Sequence, residues 1–336
     1  MISTGSQIIL CDVPIRYDTY RGCSHACSYC FGKGKGFDIS KVKADNSLIS
    51  LKKYVGGQHG KLFDWMDKPL PIHFGGMSDP FQPLEGETRL TYQSLRILNA
   101  ANFPCIISTK GKLITSPEYL ALIKDGNYVV QISMLCSDMD KYEKGAPNYG
   151  ERLKMAEAIA KHKRVVVRLQ PFLPQYFAQI LRNIKSLSDV GVFGVTIEGL
   201  KLKKKTKGMT KMGADYVFPL TILKPMYEQI KEQAHECGLR FYSAENRLRA
   251  MGDDLCCCGI DGLGWNTNKG NLNHIYYGTP EFGDNMTIPK NNQAFINGNQ
   301  STMMMHAVKG KTYKELMESI SRSKAAYSMM GKLLDH

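Results

Sequence analysis

The sequence has 336 residues, of which 43% are hydrophobic and 22% charged, and a formal net charge of +13. These values are those of a globular protein, and no apolar run approaches the ~20 residues that cross a bilayer. The N-terminus lacks the basic start, apolar core and small-residue cleavage site of a signal peptide, so we expect a cytoplasmic protein. The positive charge favours an anionic partner such as nucleic acid, although a solvated basic surface would give the same charge.

Apolar runs alternate with helix-like segments along the N-terminal part of the chain. Several of the runs are rich in Val and Ile and bounded by polar turns, which is typical of strands buried on both faces. The predicted strands are residues 7–15, 71–75, 104–108, 128–133, 164–170 and 192–197, and the helix-like segments between them include 87–99, 116–124, 149–161 and 174–188. Six β–α units in series predict an α/β fold, a partial (β/α)6 TIM-type barrel of parallel strands.

The pattern changes after residue 198. A lysine-rich loop at 201–211 precedes a predicted helix at 220–236 and a short strand at 239–244. Residues 250–310 are rich in Gly and Asn, and residues 312–334 have a helical pattern that begins with a capping box. We therefore expect a barrel domain at 1–245 and an irregular C-terminal extension at 246–336, which packs on the barrel and ends in a helix.

Three cysteines, Cys23, Cys27 and Cys30, follow the first predicted strand. Each of three closely spaced thiolates can hold one iron of a cubane, which leaves the fourth iron open to a substrate. A zinc site is the alternative, with His25 or a distant cysteine as fourth ligand. Clustered thiols in a reducing compartment indicate metal or redox chemistry rather than disulfides, and the ligand set favours iron–sulfur over zinc.

The C-x3-C-x2-C spacing after a first barrel strand, with the aromatic Tyr29 before the third cysteine, resembles the radical S-adenosylmethionine (radical SAM) superfamily. Segments 21–25 and 75–85 resemble one branch of it, the DNA repair photolyase-like or spore photoproduct lyase-like proteins. The resemblance implies a radical SAM enzyme whose three cysteines are the metal ligands of a 4Fe–4S cluster. The cofactor S-adenosylmethionine would then be cleaved to a 5′-deoxyadenosyl radical that abstracts hydrogen from a substrate, with electrons from a reductant such as flavodoxin or ferredoxin.

The chemistry of such a barrel lies at the carboxyl ends of its strands. Gly75 and Gly76 let the backbone approach a ligand, and the polar residues after them can hydrogen-bond an amine and ribose hydroxyls. The cofactor-binding residues that the resemblance implies are Tyr29, Gly75, Gly76, Ser78, Asp79, Lys110 for the methionyl carboxylate, Ser133 for the ribose, and Arg168. Gln170 and Glu198 join Arg168 as candidate cofactor or substrate contacts, with polar rim residues as the other interpretation of all three.

Met77 departs from this branch, in which the residue before the Ser-Asp pair is a cysteine that returns hydrogen to the product radical. A thioether has no S–H to give, so another group has to supply the hydrogen. The candidate catalytic thiols are Cys256, Cys257 and Cys258. Two alternatives stay open for them: they could ligate a second cluster together with Cys237 or Cys136, or be buried small apolar side chains.

Three functions compete on this sequence. The first is a radical SAM enzyme that acts on nucleic acid or a nucleotide-like substrate, and the second is a radical SAM maturase that modifies peptides or proteins. The third, from another class, is a zinc-stabilised nucleic-acid-binding module. The lysine-rich loop suits phosphate binding, or it forms a solvated face. The barrel hosts many reactions, so the fold does not choose the substrate.

Overall fold

Most of the predicted strands join one sheet. The computed structural model describes residues 2–4, 10–34, 38–45, 47–58, 69–212, 215–269, 271, 273, 274 and 277. Its strands are β1 (Ile2–Thr4), β2 (Ile15–Tyr17), β3 (Tyr20–Arg21), β4 (Lys43–Ala44), β5 (Ile72–Phe74), β6 (Cys105–Thr109), β7 (Tyr128–Ser133), β8 (Arg164–Phe172), β9 (Gly194–Gly199), β10 (Lys201–Leu202), β11 (Thr210–Met212), β12 (Asp215–Val217) and β13 (Arg240–Ser243). Its helices are α1 (Leu48–Val55), α2 (Glu85–Thr88), α3 (Leu90–Ala100), α4 (Pro117–Asp125), α5 (Tyr149–Ala160), α6 (Phe177–Asp189) and α7 (Leu220–Glu236).

The main sheet contains eight strands in the order β1-β2-β5-β6-β7-β8-β9-β13. β1 is antiparallel to β2, and every other neighbouring pair is parallel. The predicted partial barrel of parallel strands is therefore confirmed. Within the described residues β1 and β13 do not pair with each other, so the barrel is not closed.

Two strands differ from the prediction. The first parallel strand is Ile15–Tyr17 rather than residues 7–15, of which the structure describes 10–15. The reason is Asp12, whose buried carboxylate binds residues of the extension and holds the chain before β2 in an irregular course. The short strand expected at 239–244 is β13, which pairs in parallel with β9 and extends the same sheet. The helix expected at 312–334 lies outside the described residues.

The two faces of the sheet have different surroundings because successive side chains of a strand point to opposite sides. The outer face carries side chains such as Ile72, Ile107 and Val167, which form the main apolar core with the buried faces of α3 to α7. The inner face carries a small apolar cluster at the base of the barrel, where the strands begin, and polar side chains above it. The base is therefore sealed by apolar contacts and the mouth is polar.

The described part of the extension lies against the base of the barrel. Cys256, Cys258 and Ile260 pack on the inner face, against residues that include Ile106 and Val129. Further on, residues 268, 271, 273 and 274 bind the segment that precedes β2, with the main-chain N–H of 268 donating to the carbonyl oxygen of residue 12 over 2.9 Å. The chain division at residue 245 stays a prediction. No helix among the described residues is long and apolar enough to cross a membrane.

Removal of the Asp12 carboxylate should loosen the extension from the barrel. Its Oδ1 accepts from Asn271 Nδ2 over 3.0 Å, and its Oδ2 lies 2.7 Å from His274 Nε2. Asp12→Ala leaves the His274 ring buried without its partner and removes one of the two hydrogen bonds of Asn271 Nδ2, so urea denaturation should show a free energy of unfolding lower by roughly 2–4 kcal/mol.

Glu157→Gln is the matched control, because Glu157 forms an exposed pair with Lys161 on the surface of α5. It should change the free energy of unfolding by less than about 0.5 kcal/mol. If Asp12→Ala is as stable as this control, Asp12 does not hold the extension.

Candidate active site

The cysteine loop, residues 22–34, follows the carboxyl end of β2 through the short strand β3. Gly22 opens the loop with φ of +81°, and a Cβ there would lie 2.7 Å from the carbonyl oxygen of Ile39. Only glycine fits this turn without strain. The Cys23 N–H donates to the same carbonyl oxygen over 2.8 Å, and the Gln82 side chain donates to the Gly22 carbonyl oxygen over 3.3 Å. The start of the loop is thus held from two sides.

The three thiols of the cysteine loop are free, with Cys27 buried and Cys23 and Cys30 half-buried. Burial, reinforced by the carboxylate of Asp79, raises the pKa of Cys23 to about 12, and burial also raises the pKa of Cys27. These two thiols are therefore protonated at neutral pH, and a metal that binds them must displace their protons.

The donor set of the loop suits a cluster. Within the described ranges, no three His, Cys, Asp or Glu side chains converge on a point where one metal ion would fit. A cubane distributes its cysteine ligands over separate irons, so it requires thiols that are spread along a loop rather than gathered at one point. Three free thiols on one loop are such a set.

The glycine loop, residues 75–80, follows β5 beside the cysteine loop. Gly75 has φ of +84°, and a Cβ there would lie 2.4 Å from a carbonyl oxygen of β6. Asp18 holds the next turn, because its Oδ1 accepts the N–H groups of Met77 over 2.9 Å and Ser78 over 3.0 Å. The backbone of this loop is therefore fixed by a close approach on one side and by a carboxylate on the other.

Asp79 is buried and joins the glycine loop to two other segments. Its Oδ1 accepts from the Thr109 hydroxyl over 2.7 Å, and its Oδ2 accepts from the Lys110 N–H over 2.6 Å. The same Oδ2 lies 3.4 Å from Nδ1 of His25 in the cysteine loop. Ser78 is buried too, and its hydroxyl donates to the first carbonyl oxygen of β3 over 2.8 Å. The contacts of Ser78 and Asp79 with S-adenosylmethionine stay predictions.

A buried carboxylate that was not predicted from the sequence, Glu143, joins three of the predicted site residues. It accepts the hydroxyl of Tyr29, and its Oε1 lies 3.6 Å from Nζ of Lys110. Its Oε2 lies 2.5 Å from Arg152, a fully buried residue that also donates to the carbonyl oxygen of Ser133 over 2.8 Å. Burial, together with this carboxylate, raises the pKa of Tyr29, so its phenol stays neutral.

A chain of hydrogen-bonded side chains, here termed the inner belt, crosses the inner face of the sheet from β5 to β9: His73, Ser108, Gln131, Arg168, Gln170 and Glu198. His73 Nε2 lies 2.6 Å from the Ser108 hydroxyl. Gln131 Oε1 accepts from that hydroxyl over 3.1 Å and from Arg168 over 2.9 Å. The sequence pointed to the last three members only. The others carry a weaker signal, a single polar residue at an alternating position in an apolar run.

The three consecutive cysteines lie inside the barrel, below the inner belt. Cys256 and Cys258 are buried in the apolar cluster of the base, and Cys257 is half-buried. The Gln131 amide donates to the carbonyl oxygen of Cys258 over 3.2 Å, which connects this segment to the belt. The positive charge of Arg249 opposes the rise in the pKa of Cys257 that Cys258 and burial cause.

The predicted partners of a second cluster lie elsewhere. Cys136 is part of the outer apolar core, and Cys237 packs against the same core at the end of α7. Cys11, from the segment before β2, is the cysteine whose pKa is raised by the charge of Cys257, one of the three consecutive cysteines. The structure therefore groups Cys11 with the three consecutive thiols.

Solved structures share this architecture. A mutant of spore photoproduct lyase with bound AdoMet and dinucleoside spore photoproduct matches 69% of this chain and 76% of its own, with a TM-score of 0.55 and 15% sequence identity. Streptococcus suis SuiB bound to S-adenosylmethionine matches 69% of this chain and 51% of its own, with a TM-score of 0.50 and 12% identity. The chain shares the fold of these two radical SAM enzymes. The resemblance predicted from the cysteine spacing is thus confirmed at the level of the fold.

Sequence comparison finds relatives of this chain and assigns no substrate. No protein-family model matches the chain. The uncharacterized proteins Rv2578c of Mycobacterium tuberculosis (strain ATCC 25618 / H37Rv) and Mb2609c of Mycobacterium bovis are each 31% identical to it over 222 residues. The match covers 58% of this chain and 62% of each relative, so the chain spans less than two thirds of their length.

The contribution of Asp18 to the stability of the fold should fall as the pH rises. Burial raises the pKa of Asp18 from an ordinary value of 3.8 to about 6. A carboxyl whose pKa is higher in the folded state stabilises the fold while it is protonated, so this contribution is present below pH 3.8 and is lost as the pH rises through about 6. Asp18→Asn stays neutral and keeps an acceptor oxygen, so at pH 7 it should be more stable by roughly 1–3 kcal/mol.

Urea denaturation at pH 4, 5.5 and 7 measures this difference, which should shrink toward pH 4. Asp189→Asn, at the exposed end of α6, is the control and should show no such trend. A stability difference between Asp18→Asn and the unsubstituted protein that does not depend on pH would contradict the assignment.

Proposed function

We propose that this protein is a radical SAM enzyme whose cysteine loop holds a 4Fe–4S cluster on Cys23, Cys27 and Cys30. The observation that carries the proposal is the position of three free thiols on one loop at the carboxyl edge of the radical SAM fold. When bound, the cluster and S-adenosylmethionine supply a 5′-deoxyadenosyl radical that removes a hydrogen atom from the substrate. The glycine loop beside it offers exposed backbone, since Gly75 and Gly76 have no side chains to cover it.

Lys110 places a positive charge beside the cysteine loop. Its Nζ lies 5.7 Å from the ring centre of Tyr29, and its charge opposes the rise in the pKa of Cys27. A cation beside a thiol favours the thiolate that a metal requires. Glu143 Oε1 lies 3.6 Å from the Lys110 ammonium and holds it in place. The ammonium can then also bind the carboxylate of the cofactor. Ser133 completes the proposed cofactor contacts on a neighbouring strand, and Arg168 stays a candidate contact for the cofactor or the substrate.

Cys257 is the proposed hydrogen donor to the product radical. Of the three consecutive cysteines it is the half-buried one, and the charges of Arg249 and of Arg168, a member of the inner belt, both oppose the rise in its pKa. Its S–H bond breaks homolytically, the hydrogen atom joins the carbon radical of the substrate, and a thiyl radical remains. One electron from a reductant of the flavodoxin or ferredoxin class and one proton from water restore the thiol.

The proposed substrate is nucleic acid or nucleotide-like. A spore photoproduct lyase of the same fold holds a dinucleoside spore photoproduct. In this chain a small sheet, β10-β12-β11, follows β9 at the carboxyl edge. Five lysines in β11 and in the connection between β10 and β11 are exposed: Lys203, Lys204, Lys205, Lys207 and Lys211. Exposed lysines beside the mouth of the barrel can neutralise phosphates. A peptide substrate, as expected of a maturase, is the second candidate.

Cys27→Ala should abolish the cluster. After anaerobic reconstitution, the unsubstituted protein should be brown, hold about four irons per chain and form 5′-deoxyadenosine from S-adenosylmethionine and dithionite. Loss of one of three ligands should remove most of the iron and all of the 5′-deoxyadenosine, as measured by iron assay and chromatography.

Cys237→Ala is the control, because it removes a half-buried thiol that packs against the outer core. It should keep both iron and activity. A colourless protein that takes up zinc and forms no 5′-deoxyadenosine would overturn the proposal in favour of the zinc module. Iron near eight per chain or more would favour the maturase.

Cys257→Ala should uncouple the reaction. Formation of 5′-deoxyadenosine should continue, whereas product formation from an oligonucleotide or nucleotide substrate should fall at least about tenfold, as measured by mass spectrometry. Cys105→Ala removes a buried thiol of the outer core and should leave turnover unchanged. Loss of product in Cys256→Ala or Cys258→Ala, with Cys257→Ala active, would show that Cys257 is not the donor.

A further inference from the structure

Two guanidinium groups face the inside of the barrel around His73. Arg16 is the register partner of His73 on the neighbouring strand, so both side chains lie on the inner face. Arg168 reaches the same region through the inner belt. All three side chains are half-buried, which leaves them accessible from the mouth of the barrel. Burial and the charges of Arg168 and Arg16 lower the pKa of His73 to about 3, so its ring is neutral at pH 7.

Neither guanidinium donates a hydrogen bond to a carboxylate in the part of the chain that the structure describes. Arg168 donates to the amide oxygens of Gln131 and Gln170. Arg16 lies near the carboxylate of Asp18, whose pKa its charge lowers. Its stem passes the glycine loop, where a Cβ on Gly76 would lie 3.1 Å from its Cδ. An unpaired charge in a partly dry interior is costly, and a bound anion removes that cost.

The carboxylates that face this region are already committed to other partners. Asp18, which follows β2, uses Oδ1 to hold the N–H groups of the glycine loop, and its carboxylate also lies near the charge of Arg16. Glu198 binds Lys201 and also accepts from Gln170. Because Lys201 balances Glu198, two guanidiniums face the one carboxylate of Asp18, and the region between them carries a net positive charge.

We infer that an oxyanion of the phosphate class, carried by the substrate, binds between Arg16 and Arg168 beside His73. Guanidinium forks match the paired oxygens of a phosphate, and the neutral ring of His73 lies beside them. This inference rests on the proposed function and adds to it that the phosphate of the substrate enters the barrel rather than staying at its rim.

Inorganic phosphate is the probe, titrated by calorimetry into the reconstituted protein at pH 7. Arg16→Gln should weaken phosphate binding at least tenfold, and Arg16→Lys, which keeps the charge without the fork, should recover part of the loss. Phosphate should also shift the NMR signal of the His73 ring, which is identified by its loss in His73→Gln, and Arg16→Gln should abolish that shift. Equal binding in Arg16→Gln and the unsubstituted protein would overturn the inference.

Lys161→Gln is the control variant, because Lys161 lines a basic groove at the base of the barrel, away from the mouth. It should bind phosphate normally, and an equal loss there would place the anion in that groove and overturn the inference. Acetate that binds as tightly as phosphate would reject the phosphate class. Displacement of phosphate by S-adenosylmethionine would assign the site to the carboxylate of the cofactor instead.

The same samples separate this inference from the proposed function. 5′-Deoxyadenosine that forms without any phosphate binding would reject the phosphate site and keep the radical SAM activity. Phosphate binding in a protein that forms no 5′-deoxyadenosine would reject the activity and keep the site as an anion site.

Discussion

Asp79 accepts hydrogen bonds from the Thr109 hydroxyl and the Lys110 N–H, and the same carboxylate lies 3.4 Å from His25. One buried carboxylate thus holds the glycine loop, the end of β6 and the cysteine loop at fixed distances from one another. Three loops at the carboxyl edge of a sheet have no regular hydrogen-bond ladder of their own, so their relative positions depend on such side-chain contacts. The geometry available to a cofactor at this edge follows from that contact.

A strand can be predicted from the sequence where a local apolar pattern determines it. Strands buried on both faces give continuous apolar runs, and β6 to β9 were therefore found close to their true bounds. β2 was misplaced because Asp12 is buried by contacts with residues far along the chain, and such contacts leave no local pattern. The role of β13 in the main sheet was missed for the same reason, since its pairing with β9 spans a helix and a separate small sheet.

The site residues likewise divide into those in a local sequence motif and those that only the fold brings together. The cysteine spacing and the glycine pair are local patterns, so the sequence pointed to them directly. Glu143 and Arg152 gave no signal, because each is a charged residue among many, and only the fold shows that they are buried against Tyr29 and Lys110. His73 and Gln131 interrupt apolar runs at alternating positions, which is a weak signal for polar side chains on the inner face. Consecutive cysteines could not be ranked by sequence, whereas the fold separates Cys257 from its two buried neighbours.

The apolar cluster that Cys256, Cys258 and Ile260 form with the inner face determines from which side a ligand can reach the interior of the barrel. Within the described residues this cluster closes the base of the barrel, where the strands begin. The interior is therefore reached from the mouth or through the gap between β1 and β13, which do not pair among the described residues. A long polymer would then not pass along the barrel axis from one end to the other.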